Sequence, residues 1–292
     1  MPKKCLNQWT VAGFEGAVGV IESARAVKEA GFEAIELCFG AGDFTAETPE
    51  SQIEAYRQEI ETLGLEISSL ATGMYWSKSL SSPTETERSE AIEFTRSYVK
   101  AASTIGVDSV LVVPGAVAVP WDPSRPVVPA RIAHELSRKS IRSLLPLAQD
   151  LGVHLCVENV WNKFLTGPFE FASFIDSFGS PYAKAYFDVG NALLFGYPEH
   201  WIEVLGDRIG RIHIKNFKTT GGGGTLDGFT GSLLEGDVDW ALVFEAIDSI
   251  GYNGFLTAEM LVSEKGLPDN EMAMRTSVEM TELLKRHSSG KS

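Results

Sequence analysis

The chain has 292 residues, is 44% hydrophobic and 22% charged, and carries a formal net charge of −14. This is the composition of a globular protein, at the upper end of what one domain holds. The negative charge disfavours a nucleic-acid partner, which needs clustered Lys and Arg, but leaves room for a phosphorylated small molecule in a local basic patch.

Strand and helix patterns alternate along the whole chain. A β-rich run at 6–11 opens it and leads to a helical pattern at 19–30 that ends at Gly31. A second strand pattern at 34–40 precedes a helix at 49–63, entered through Thr48 and Pro49 as a cap and a first-turn proline. Strand 66–73 is followed by a helix at 84–105 that starts with Thr84 and stops at Gly106. Strand 109–115 precedes a long amphipathic helix at 128–151, ended by Gly152. Strands 154–160 and 183–190 lead into helices at 168–179 and 198–206, each opening on Pro. Strand 209–217, a helix at 238–250 capped by Asp237, strand 255–260 and a helix at 270–287 complete the series.

The strand patterns are rich in Val, Ile and Leu, as expected of strands buried on both faces. Eight strands alternating with eight helices over 1–292 predict an α/β fold, a single (β/α)8 barrel. A doubly wound open sheet is the competitor, but no GxGxxG follows the first strand. Two segments break the rhythm: 114–129 is Pro-rich and follows strand four, and 218–236 is Gly-rich and follows strand seven. Both extend βα loops, which lie on the catalytic face of such a barrel. The Gly run reads as either a flexible lid or an inert insertion.

Cys5, Cys38 and Cys156 show no CxxC spacing and read as reduced, buried thiols rather than a structural zinc site. The start, MPKKCLNQWT, lacks the apolar core of a secretory signal. No apolar run reaches the length of a membrane span, so the expected location is the cytoplasm, with no membrane partner.

Four strings carry the chemistry: VEN at 157–159, FDVGN at 187–191, RIHIKN at 211–216 and TAEM at 257–260. Each reads as a strand end with one metal-competent side chain: Glu158, Asp188, His213 and Glu259. Strand side chains alternate between faces. If these four point inward, so do Cys156, Tyr186, Arg211 and Thr257, while the apolar Val157, Phe187, Ile212 and Ala258 face the helices. All four strands agree on one orientation. Three carboxylates converging without a cation would be costly, so the set predicts one divalent metal.

With these motifs, and with EGDVDW at 235–240, the chain resembles the xylose-isomerase-like TIM barrel superfamily of sugar and sugar-phosphate isomerases and epimerases. It is similar in particular to ketose 3-epimerases and ribulose-phosphate epimerase-like members. The resemblance implies that Glu158, Asp188, His213 and Glu259 hold one divalent metal, often manganese, with magnesium, cobalt or zinc as other candidates. It implies that Glu158 and Glu259 also act as the acid and base. One would remove a proton beside the substrate carbonyl, giving an ene-diolate, and the other would return it. The implied partner is a small sugar or sugar phosphate. An acidic barrel of this size is also the kind that forms homo-oligomers.

Three positions depart from the family pattern. Asn191 stands where some sugar epimerases carry a histidine, and Lys215, Asn216 and Lys218 occupy the stretch where free-sugar epimerases place an arginine. Phe164 stands where some members carry a further glutamate. Asn191, Lys215, Trp161, Asn162, Glu36 and Trp9 are the expected substrate contacts, with Gln8, Tyr75 and Trp76 nearby. The glycines at 221–224 with Lys218 are a candidate phosphate site. The same metal and fold would also serve an inosose or dehydroshikimate-type dehydratase, and a non-catalytic metal- or ligand-binding barrel is the non-enzyme alternative. The DNA-repair endonuclease branch is disfavoured by the chain's five histidines and its net charge of −14.

Overall fold

The computed structural model describes residues 2–220, 225–260 and 270–289. Among these, eight strands close into one parallel barrel in sequence order. They are β1 (Lys3–Asn7), β2 (Ala34–Cys38), β3 (Glu66–Ala71), β4 (Ser109–Val112), β5 (His154–Glu158), β6 (Ala183–Asp188), β7 (Ile209–Ile214) and β8 (Phe255–Ala258). β1 pairs with both β2 and β8, so the sheet has no edge. Around it lie α1 (Trp9–Ala12), α2 (Val20–Glu29), α3 (Glu50–Thr62), α4 (Glu85–Ile105) and α5 (Ala130–Leu151). The ring continues with α6 (Pro168–Asp176), α7 (Val189–Ala192), α8 (Pro198–Leu205), α9 (Trp240–Ser249) and α10 (Asn270–Ser289). No described helix is long and apolar enough to cross a membrane.

The main core lies between the outer strand faces and the helices. Val157, Phe187, Ile212 and Ala258 are buried there, and Phe187 stacks on Trp201 of α8 with ring centroids 6.2 Å apart. The alternate residues fill the barrel. The strands are shorter at their C-terminal ends than the apolar runs, because those runs continue into the βα turns. Glu158 ends β5, Asp188 ends β6, His213 is the penultimate residue of β7, and Glu259 follows β8 directly. The pairing register shifts at Ile35/Glu36 and at Ala185/Tyr186, local irregularities that re-aim a side chain.

The first strand differs from its prediction at 6–11. It ends at Asn7, whose Oδ1 accepts the Trp9 N–H at 2.8 Å, and Gln8 is already helical in φ and ψ. This side-chain turn competes with the sheet ladder and places Trp9 on α1. The cap of α9 also differs. Asp239, not Asp237, accepts the N–H groups of Ala241 and Leu242, while Asp237 accepts both the N–H and the hydroxyl of Thr219.

The loop after β7 is anchored on both sides of 221–224, which lie outside the described residues together with the phosphate site expected there. Phe217 and Phe229 form an antiparallel bridge. Asn216 Oδ1 accepts the N–H groups of Phe217 and Val238, and its Nδ2 donates to Leu233 O at 2.9 Å. Glu279 on α10 accepts from Ser232 Oγ and Leu233 N. Asn216→Ala would strand buried N–H groups at both ends of this loop. It should lower stability by about 2–4 kcal/mol in chemical denaturation and expose the 218–236 segment to limited proteolysis.

Candidate metal centre

Glu158, Asp188, His213 and Glu259 meet at the C-terminal mouth of the barrel. One ligand atom of each lies within 4.8 Å of all the others, and all four residues are buried. His213 Nδ1 faces Asp188 Oδ2 at 3.8 Å and Glu259 Oε2 at 3.9 Å. Among the described residues, Nδ1 has no hydrogen-bond partner, and buried polar atoms are rarely left so. Asp188 Oδ2 is paired with the Lys215 ammonium at 2.9 Å. An unpartnered imidazole nitrogen among three converging carboxylates is a donor set that fits a divalent cation.

The Asp188 carboxylate is held by the turn that follows β6. Asp188 caps α7, accepting the Asn191 N–H on Oδ1 at 2.7 Å. Its backbone is pinned by Asn159, which accepts the Asp188 N–H at 2.7 Å and donates to the Asp188 carbonyl at 2.9 Å. Asn191 Nδ2 reaches Glu158 Oε1 at 3.4 Å and the Asn159 carbonyl at 3.1 Å. Gly190 lets α7 settle on β7: a Cβ there would lie 2.6 Å from Lys215 Cγ and 2.9 Å from its carbonyl oxygen.

The charges are strongly coupled. Burial, and then the charges of Glu259 and Asp188, push the Glu158 carboxyl up to about 8. Burial likewise raises Asp188. Burial alone would lower His213, but Glu36 and Glu259 outweigh it and lift the imidazole to about 9. The Lys215 ammonium is buried too, yet Asp188, Glu259 and Glu158 hold its proton more tightly than usual. A metal cation held here would have to displace the protons on Glu158 and His213.

Of the expected substrate contacts, the structure brings Asn191, Lys215 and Trp161 to the cluster. Lys215 donates to Glu259 and stands 5.1 Å from the centre of the Phe229 ring. Trp161 Nε1 donates to the Asn191 carbonyl at 3.2 Å, and its ring packs against Phe217 and Phe229. Trp9 is buried on α1 against Phe14. The other two are engaged by protein groups. Asn162 ties two loops together, donating to Gly115 O at 2.7 Å and accepting from Phe164 N at 3.0 Å. Glu36 lies beneath His213 with both oxygens bonded to protein donors.

Among nearby aromatics, Tyr75 is buried with its hydroxyl on Thr95, and Trp76 packs on Trp121. Asn159, Gly190 and Phe229 were not singled out from sequence. Asn159 sits in the VEN string, but by strand parity it should face the helices, and only the early end of β5 turns it toward Asp188.

No curated protein matches the sequence significantly. Among solved structures, an L-ribulose 3-epimerase superposes with a TM-score of 0.81 at 18% identity, over 100% of this chain and 97% of its own. A D-psicose 3-epimerase from Clostridium cellulolyticum H10, solved with D-tagatose, gives 0.78 at 18% identity over 98% of each chain. A 3-keto-D-glucoside 4-epimerase from E. coli gives 0.74 at 16% identity, over 98% of this chain and 100% of its own. At these identities the likeness is one of fold. The model of the family described as xylose isomerase-like TIM barrel matches residues 24–284, and the chain belongs to that family.

Proposed function

We propose that the protein is a divalent-metal-dependent isomerase or epimerase acting on a sugar or sugar phosphate. The ligand set carries this reading: four buried donors from four consecutive strands, all within 4.8 Å of one another. Glu158, Asp188, His213 and Glu259 would hold the cation. An oxygen-rich set with one nitrogen suits manganese, with magnesium, cobalt and zinc as competitors. When bound, the metal supplies Lewis-acid stabilisation of the ene-diolate that follows loss of a proton beside a carbonyl.

The chain's own residues supply the proton transfers. Glu158 and Glu259 come from β5 and from the end of β8, so they reach the common point from different parts of the barrel rim. One removes the proton and the other returns it, which inverts the carbon when the return is to the opposite face. The two glutamates are held differently. Glu158 receives the Asn191 amide, and Glu259 receives the Lys215 ammonium. Phe229 and Trp161, backed by the fully buried Phe217, form an aromatic wall against which the apolar face of a sugar can rest. Asn191 and Lys215 would contact its hydroxyl groups. The names of the similar structures support this chemistry: a ketose epimerised at C3, or a 3-keto sugar at C4, changes configuration beside a ketone.

Incubation with Mn²⁺ in D₂O and a panel of ketoses, ketose phosphates and inososes, read by NMR, tests the reading. Deuterium should enter at one carbon beside the carbonyl. Glu158→Gln and Glu259→Gln should each slow that entry by about 100-fold or more. Metal bound with no exchange in any substrate would point to a binding barrel. Stability gives a second check. Cation at about 100 times its Kd should stabilise the fold by about 2.7 kcal/mol. Asp188→Asn and His213→Asn should lose most of that gain.

A further inference from the structure

Beneath the ligand cluster lies a second polar assembly that the proton chemistry does not use. Glu36 extends from β2 across the barrel interior and is fully buried. Four donors converge on its carboxylate. Asn7 Nδ2 and His213 Nε2 reach Oε2, each at 2.6 Å. Ser69 Oγ reaches Oε1 at 2.8 Å, and the Tyr186 hydroxyl bonds the same oxygen. These donors come from β1, β3, β6 and β7. A carboxylate offers about four lone-pair sites, so Glu36 is saturated.

The orientation of each partner is fixed by a further contact. Asn7 Oδ1 accepts the Trp9 N–H, which leaves its Nδ2 to face Glu36. The Tyr186 ring lies against the His213 imidazole, with centroids 4.4 Å apart and planes at 54°. His213 is therefore held at one edge by a carboxylate and on one face by an aromatic ring. Barrel interiors are usually filled by branched aliphatic side chains, and a buried carboxylate is a poor substitute for them as packing alone.

We infer that Glu36 is a positioning residue of the metal centre: it accepts the Nε2 proton of His213 and so keeps the Nδ1 lone pair turned to the cation. Only Nδ1 of this imidazole faces Asp188 and Glu259, and among the described residues Nδ1 has no hydrogen-bond partner. A histidine that donates its far N–H to a carboxylate has one tautomer and one ring orientation, and is the more basic ligand for it. Glu36 touches neither cation nor substrate. The inference rests on His213 being a metal ligand.

The test uses the full chain as wild type, Glu36→Gln and Ser69→Ala. Divalent cation affinity is measured by calorimetry with Mn²⁺ and Zn²⁺. The His213 tautomer is read from ¹⁵N ring shifts with and without Zn²⁺, assigned by the resonance missing in His213→Asn. Glu36→Gln keeps the shape but sets an NH₂ against incoming donors. It should weaken cation binding about 10- to 100-fold and remove the preference for the Nε2–H form. Ser69→Ala deletes a bond to the opposite oxygen and serves as the structural control. It should lower thermal stability while leaving cation affinity within about twofold.

Wild-type affinity in Glu36→Gln, or equal losses in the two variants, would overturn the inference. Failure of the wild type to bind any divalent cation would instead overturn the metal reading, and the tautomer comparison would still decide what Glu36 does. If Glu36→Gln does not fold, the wild-type spectrum recorded at a pH high enough for the ring to be neutral decides: a proton on Nδ1 refutes the positioning role.

Discussion

Everything at the mouth of this barrel follows from crowding like charges where water cannot screen them. Glu158, Asp188 and Glu259 are each at most 6% exposed, and a buried carboxylate survives only with a partner. Lys215 is one such partner and His213, backed by Glu36, is another. Three carboxylates share these two cationic partners, so the cluster still favours further positive charge. The barrel makes this possible, because its closed sheet leaves no strand edge to yield and its helices shield the strands from outside. The crowding of charge is therefore built into the fold itself.

Most of the architecture was legible because the two periodicities are clean. Strand runs and amphipathic helices alternate, and a glycine such as Gly106 or Gly152, left-handed in the structure, stops a helix where the sequence places it. Strand ends were less legible. Apolar residues such as Val113 continue past the last ladder bond and remain buried in the turns above, so composition alone extends each strand. The first strand failed for a more local reason. A single Asn7 side chain offers Trp9 a hydrogen bond that the sheet would otherwise have to supply, and nothing in the hydrophobic pattern announces it.

The convergence of Glu158, Asp188, His213 and Glu259 was legible because strand parity is strict, and four strands sharing one parity form a pattern that can be counted. The supporting residues were not, because they act across the barrel rather than along the chain. Glu36 sits at a barrel-facing position of β2, and parity cannot say whether its carboxyl rises to the mouth or sinks toward Tyr186. The local shifts of register at Ile35/Glu36 and Ala185/Tyr186 bear on that choice. Asn162 is a similar case. Its neighbours in sequence suggested the mouth, and in the structure its amide donates to the backbone of another loop.

Gly190 gives the site an unexpected weak point. It bears no polar side chain and no charge, yet it is where α7 lies directly on the backbone of Lys215, just past the end of β7. A methyl group added there would push the start of α7 away from Lys215, and the pairing of Lys215 with Asp188 would be disturbed before the barrel itself. Searches for inactivating changes that follow charge and polarity alone would pass over this position.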